Sequence, residues 1–453
     1  MLDYSKINKF DLTYSIAYQY LKVAHNHLYY RSYHVLNSEN IPKDGGFLVI
    51  CNHQNGLNDA LGILFALTDH TSVFIARADI FKKEFVAKLL RFLRIMPAFR
   101  KQDTGVENLG NNDIIFKESA RVISEGDVVA LFPEAGHKDK HTLGTFKKGF
   151  ARIAFKAAEL NNFEKPITIL PLGNHYDNYF HFRNRLVINV GTPFEFSDLY
   201  DLYKENPERA RYLLAKRARE HVEPLMLNMA EDEHYPEYEM INTIYRDQYC
   251  RKHGLRRLHF PNHLKADQTI YAKIAELREN DPEHFNSLTS KVAEYRQNLK
   301  QLRLRDWIFT QRGTTTGMFV AALFWIATLP LGIYSHIVNI IPYKAGNLLT
   351  RKVKDRMLHS SFYFAIGALV TFPFFHLTLA AVAWAVFHTF KAAVLFILTA
   401  PLSLLFYYNY KVLTVKLYNR IRKSFLKHTG NKTIKRTAEL RKEIFDDLDK
   451  LEF

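Results

Sequence analysis

The chain has 453 residues, more than one hydrophobic core usually serves, so two or three structural units are expected. Its 62 Lys and Arg against 46 Asp and Glu leave a formal charge of +16, which calls for an anionic partner: a phospholipid surface, an acidic carrier protein or nucleic acid. Cys51 and Cys250 lie far apart and outside any metal-binding spacing, which excludes a disulfide framework of the kind that staples small secreted domains.

The opening Met1-Leu2-Asp3-Tyr4-Ser5-Lys6 lacks a basic segment followed by an apolar one, so no cleavable signal peptide is expected. Residues 11–34 carry Tyr14, Ile16, Tyr18, Tyr20, Leu21, Val23, Leu28, Tyr29 and Tyr30, and predict an aromatic-rich helix within an N-terminal segment of residues 1–34. Such a helix suits a membrane interface and equally suits packing against a soluble domain. After Pro42 and Gly45-Gly46, the run Phe47-Leu48-Val49-Ile50 reads as a buried parallel strand. Similar runs occur at 72–76, 128–132, 167–170 and 186–190, with helical patterns at 82–94, 113–125 and 146–160 between them. Strands alternating with helices predict an α/β domain with a largely parallel sheet over residues 35–204.

Residues 205–312 are charged and helix-favouring, punctuated by Pro224, Pro236, Pro261 and Pro282, and predict a helical connector. Residues 313–410 hold the apolar stretches 315–343, 360–390 and 392–409, a predicted C-terminal transmembrane helical region, and 411–453 form a basic helical tail. Basic residues flank every apolar stretch, which by the positive-inside rule places all the flanks on the cytoplasmic side. Residues 360–409 then form a hairpin turning near Lys391, and 315–343 a shallow re-entrant hairpin bent at Pro330; three full passes are the alternative.

Four blocks follow the predicted strands and carry groups able to do chemistry. Asn52-His53-Gln54-Asn55-Gly56-Leu57-Asn58-Asp59 sets a His one short loop from a carboxylate, the pattern of an oriented general base, and also a common structural pairing. Ile95-Met96-Pro97-Ala98-Phe99-Arg100 ends in a cation, as does the strand before Arg77. Phe132-Pro133-Glu134-Ala135-Gly136 presents a carboxylate and small residues, with Lys147, Lys148 and Arg152 beyond, where clustered cations suit a phosphate. Leu170-Pro171-Leu172-Gly173 reads as a strand end whose Pro171 shapes an apolar acyl pocket or makes a turn.

In order and spacing these blocks resemble the glycerolipid acyltransferase family, the glycerol-3-phosphate and lysophosphatidate acyltransferases, over roughly residues 35–195. The resemblance implies that His53 is the catalytic base, that Asp59 orients it, and that Arg100 with Glu134 and Gly136 holds the acceptor headgroup. Arg77 and Lys148 join the headgroup site on charge alone, and Pro171 the acyl pocket. It further implies an acyl-CoA or acyl carrier protein donor, a glycerol-3-phosphate or lysolipid acceptor, a membrane phospholipid setting, and neither metal nor other cofactor. No nucleic-acid motif accompanies the positive charge, so nucleic acid is not an expected partner. Two positions depart from the family pattern. Its four-residue spacing after His53 falls on Asn58, one residue before Asp59, and Ala135 stands where the family has Gly. The expectation is that the loop at Gly56 absorbs the extra residue and Asp59 still reaches His53, because an anion best stabilises the imidazolium formed on proton transfer; orientation by Asn58, with less electrostatic support, is the alternative.

Overall fold

A computed structural model describes residues 3–100, 109–134, 136, 139–310, 315–351, 353 and 355–451, so Ala135 lies outside the described residues. The chain divides into two compact units, Met1–Asn228 with Asp355–Ser361, and Met229–Lys354 with Phe362–Phe453.

The first unit is built on a seven-stranded sheet: β1 (Tyr30–Leu36), β2 (Phe47–Cys51), β3 (Ser72–Arg77), β4 (Ile95–Ala98), β5 (Val128–Leu131), β6 (Thr168–Tyr176) and β7 (Asn184–Val190). Their order is β1-β7-β6-β2-β5-β3-β4, and every neighbouring pair is parallel except β6–β7. The helices are α1 (Leu12–Val23), α2 (Leu57–Ala66), α3 (Glu84–Phe92), α4 (Asn111–Ser124), α5 (Gly149–Leu160), α6 (Tyr200–Glu205) and α7 (Pro207–Val222). All five residues of β2 are fully buried, as the apolar run requires, and each such aliphatic or aromatic side chain contributes about 1.5–3 kcal/mol. Leu48 and Ile50 point to the face covered by α4, α5 and α7. On the other face Gly62 of α2 brings that helix close to Leu186 and Ile188 of β7.

The α/β unit extends past residue 204 because α7 completes its core. Ala210, Leu214, Ala218 and Val222 recur on one face and are buried with Phe150 and Phe196. Pro207 begins this helix, and the Asn206 side chain accepts a hydrogen bond from Arg209 N, 3.1 Å away.

The helix expected over residues 11–34 ends at Tyr29, and Tyr30–Leu36 instead forms the edge strand β1. Arg183 explains the stop: its Nη1 donates to the carbonyls of His27, Leu28 and Tyr30, which would otherwise seek the next helical turn. One side of α1 packs, with Tyr14 edge-on to Phe92 and under the Arg94 guanidinium. Its other side leaves Leu12, Ile16 and Val23 exposed. The expected strand end at Pro171 is also corrected: β6 runs on to Tyr176, with Pro171 buried in mid-strand. Pro171 lacks an N–H, but its carbonyl accepts from Gly191 N at 2.9 Å, between the Ile169–Phe194 bridge and the ladder that starts at Leu172.

In the second unit, helices Tyr235–Lys252, Pro261–Asn280 and Pro282–Leu302 pack with the C-terminal helix Lys432–Asp449. Arg246 forms a two-point pair with Asp267, Lys291 bonds Asp447 at 2.6 Å, and Arg441 bonds Asp306 at 2.7 Å. Leu440, Ile444 and Leu448 are fully buried, so this part of the basic tail is an integral element of the helical layer. Two helices, Arg356–Phe387 and Phe390–His428, are long and apolar enough to cross a membrane. A third apolar pair, Thr316–Ala327 and Leu329–Gly346, is bent by 60° at Thr328, next to Pro330. The turn expected near Lys391 falls at His388–Thr389, where His388 adopts a left-handed conformation and the Thr389 side chain accepts from Lys391 N.

Candidate active site

The strands β2, β3, β4, β5 and β6 run parallel to one another, so their carboxyl ends line one edge of the sheet. Asn52 leaves β2 fully buried and clamps β6, its Oδ1 accepting from Asn174 N at 2.7 Å and its Nδ2 donating to Asn174 O at 3.1 Å. The chain is thus fixed immediately before His53, whose ring stacks on Phe132 with centroids 4.1 Å apart.

Asp59 lies in the first turn of α2 and is fully buried. Its Oδ2 accepts from His53 Nδ1 at 2.9 Å, Gln54 N at 2.8 Å and Asn55 N at 2.7 Å, and its Oδ1 accepts from Tyr176 OH at 2.6 Å. A carboxylate only accepts, so Nδ1 of His53 carries the proton and Nε2 holds the lone pair of the neutral ring. The extra residue between His53 and Asp59 is absorbed at Gly56, whose φ of 49° and ψ of −125° suit glycine alone. Asn58 points elsewhere: its Nδ2 donates to Ser360 Oγ at 2.9 Å.

Glu134, on the loop after β5, accepts from His53 N at 2.8 Å through Oε1 and from Gly144 N at 2.7 Å through Oε2. Burial pushes its carboxyl up from the usual range, against the pull of these two N–H donors. Burial also holds the Cys51 thiol well above its ordinary value, with Asp59 and Glu134 adding to the effect, so Cys51 is an inert core thiol. Tyr179 closes the base of the site, donating to Gln54 Oε1 at 3.0 Å and lying 2.9 Å from His141 Nδ1.

The other sequence-predicted residues are spread along the same edge. Arg77 ends β3 and forms a two-point pair with Asp79. Arg100 follows β4, three strand spacings or roughly 14 Å from β2, on a backbone held at Phe99 by Asn112, which bonds both its N and O. Lys148 is paired with Glu208 at 3.0 Å, and Gly136 is exposed. Among the described residues, no group of three or more His, Cys, Asp or Glu side chains is arranged to hold a metal. Sequence reasoning missed Tyr176, Asn174 and Phe132 as site residues. Phe132 lay inside a quoted block, but nothing in spacing alone brings Tyr176 to Asp59.

A family model described as Acyltransferase matches residues 32–174, which hold β1 through most of β6 and every group around His53 except Tyr176 and Tyr179. Residues 32–174 are an acyltransferase domain. An uncharacterized acyltransferase of Schizosaccharomyces pombe is 28% identical over 209 residues, covering 42% of this chain and 27% of its own length. Glycerol-3-phosphate O-acyltransferase 2 of Saccharomyces cerevisiae is 25% identical over 222 residues, covering 49% and 28%. The 1-acyl-sn-glycerol-3-phosphate acyltransferase of Bacillus subtilis is 26% identical over 120 residues, covering 26% and 55%. The chain therefore spans from about a quarter to about half the length of these relatives. The crystal structure of the 1-acyl-sn-glycerophosphate acyltransferase PlsC from Thermotoga maritima is similar with a TM-score of 0.31 and 21% identity, covering 49% of this chain and 83% of that one. Within the acyltransferase domain, the His53–Asp59 pair has one more intervening residue than the family pattern and still closes to hydrogen-bond distance.

Proposed function

We propose that this chain is a membrane-bound O-acyltransferase that moves a fatty acyl group from a thioester to the hydroxyl of a glycerol-3-phosphate or lysophosphatidate-type acceptor. The observation that carries the reading is the buried Asp59 carboxylate on His53 Nδ1, which leaves Nε2 as the basic atom at the sheet's carboxyl edge. Nε2 takes the acceptor hydroxyl proton as the oxygen attacks the thioester carbonyl carbon. The tetrahedral intermediate collapses by breaking the carbon–sulfur bond, and the leaving thiolate takes the proton back from Nε2. Asp59 holds the imidazolium between these two transfers.

Glu134 acts as a brace: it grips the backbone of the base through His53 N, so its loss lowers turnover more than acceptor affinity. Arg100 meets the acceptor phosphate, as the family pattern implies. Arg77 and Lys148, each already paired with a carboxylate, contribute general positive potential. The two long apolar helices and the basic residues that flank them support anchoring in a bilayer, with the catalytic domain on the cytoplasmic face.

The test is acyl transfer by the purified full chain in detergent or lipid. Labelled acyl-CoA and acyl carrier protein are offered against glycerol-3-phosphate and a panel of lysolipids, with His53→Ala alongside. Transfer to one acceptor by the wild type and not by His53→Ala supports the proposal and names the substrates. Absence of transfer to every acceptor by folded protein refutes it.

A further inference from the structure

The loop between His53 and Asp59 is held on one side by Asp59 itself and on the other by a segment some 300 residues later in sequence. That segment, Asp355–Ser361, folds with the catalytic unit. Ser360 Oγ accepts from Asn58 Nδ2 at 2.9 Å and lies 2.7 Å from Tyr29 OH. Ser361 Oγ donates to Asn55 O at 2.9 Å and accepts from Asn58 N at 3.4 Å. A Cβ on Gly56 would lie 2.8 Å from Ser361 Oγ and 3.1 Å from Leu358 Cδ2, so the segment passes directly over the glycine turn. Ser360 and Ser361 are each 3% exposed, and Met357 is buried beside them. At the rim the Arg356 guanidinium lies 4.4 Å from the Phe180 ring centroid, and Asp355 caps the turn through Met357 N.

These contacts fall on the residues that make the loop unusual. Five residues separate His53 from Asp59, and the added one is taken up by a positive-φ conformation at Gly56 that glycine adopts freely, so the turn is not fixed by Gly56 alone. Asn55 N and Gln54 N hold Asp59 in place from one side of the loop, and Asn58 N donates to Asn55 O at 3.0 Å within it; from the other side Ser361 adds a second bond to the Asn55 carbonyl and Ser360 accepts from the buried Asn58 side chain. Removing the serines takes the 2.9 Å acceptor from the buried Asn58 Nδ2 and one donor from the Asn55 carbonyl, and a buried polar group that loses a partner costs more than the bond was worth, so the loop has reason to move.

We propose that Asp355–Ser361, which contains the start of the apolar helix Arg356–Phe387, is a positioning brace for the catalytic loop. Ser360 and Ser361 hold Asn55–Asn58 in the conformation in which Asp59 reaches His53. The C-terminal region is then required for the chemistry of the site as well as for anchoring. This rests on the reading of His53 as the base. Ser360 and Ser361 are positioning residues, since they act through the loop.

The experiment compares full-length wild type, His53→Ala, Ser361→Ala, Ser361→Thr and the double variant Ser360→Ala/Ser361→Ala in the acyl-transfer assay, with hydrogen exchange measured on the same samples. The double variant is expected to lose roughly tenfold in kcat with the KM of donor and acceptor within about twofold of wild type. Its Gln54–Asn58 amides should exchange faster while the β5 amides stay protected, and Ser361→Thr, which keeps the hydroxyl, should recover most of the rate. Wild-type kcat in the double variant, or unchanged exchange at Gln54–Asn58, overturns the proposal. If the double variant does not fold, Ser361→Ala alone carries the same comparison. If the wild type transfers to no acceptor, the functional reading has failed, and the exchange measurement still decides whether the serines hold the loop.

Discussion

Replacing Asp59 by Asn isolates its charge from its hydrogen bonds. The amide oxygen can take the place of Oδ2 and face the three donors from His53, Gln54 and Asn55, while the amide NH2 turns to Tyr176 OH, which can accept. The loop is therefore kept, and what is lost is the anion beside the imidazolium that forms during proton transfer. At 2.9 Å and an effective dielectric constant of about 20, two unit charges interact by about 6 kcal/mol. The hydrogen bond that the imidazolium still donates to the amide oxygen returns about 2 kcal/mol of this. The difference, about 4 kcal/mol, corresponds to a loss of roughly a thousandfold in kcat. The assay is steady-state acyl transfer with both substrates varied, beside a melting curve showing that the variant is folded. A kcat within tenfold of wild type, with His53→Ala inactive, would refute the reasoning and leave Asp59 as a structural carboxylate that shapes the loop.

Arg100→Ala is expected to raise the KM for a phosphorylated acceptor about tenfold or more while kcat falls less, and Arg77→Ala to change either by under about threefold, since Arg77 already pairs with Asp79; paired kinetics on the two variants check this. Glu134→Gln leaves one oxygen to serve two N–H donors and should lower kcat roughly tenfold with acceptor KM near wild type; a change confined to KM would return Glu134 to the headgroup site. Burial lowers the His25 pKa from its ordinary value of 6.5 to about 4. The unfolded chain then binds a proton below pH 6.5 that the folded one refuses until about pH 4, so stability falls across that window, by about 3 kcal/mol in all. Denaturation midpoints between pH 7 and pH 4 should show this slope in the wild type and a shallower one in His25→Phe.

Much of the sheet is legible in the sequence because buried parallel strands write themselves as short apolar runs, and Phe47–Ile50, Ser72–Ala76 and Val128–Phe132 match the observed strands to within a residue. The His53–Asp59 contact is legible because both residues fall in one short loop, which closes to 2.9 Å. The strands that escaped are the edges. Tyr30–Leu36 is polar enough to continue a helical pattern, and Ile95–Ala98 contains Pro97, tolerable there because β4 has a neighbour on one side only. Tyr176 and Ser360 escaped for a different reason. Each reaches the loop by tertiary approach across more than a hundred residues, and no local period or spacing records such a meeting.

If Asp355–Ser361 braces the His53 loop as proposed, the order of synthesis sets a timetable. Asn58 and Ser361 are 303 positions apart in the chain. At a synthesis rate of about 5–20 residues per second, roughly 15–60 s separate the making of the loop from the making of its support. For that interval the sheet can form around an unsupported His53 loop, and the site matures only when the first turn of an apolar helix has been delivered. A nascent or truncated chain ending before that point would hold all of residues 32–174 and still lack the contacts that Ser360 and Ser361 make with the His53 loop.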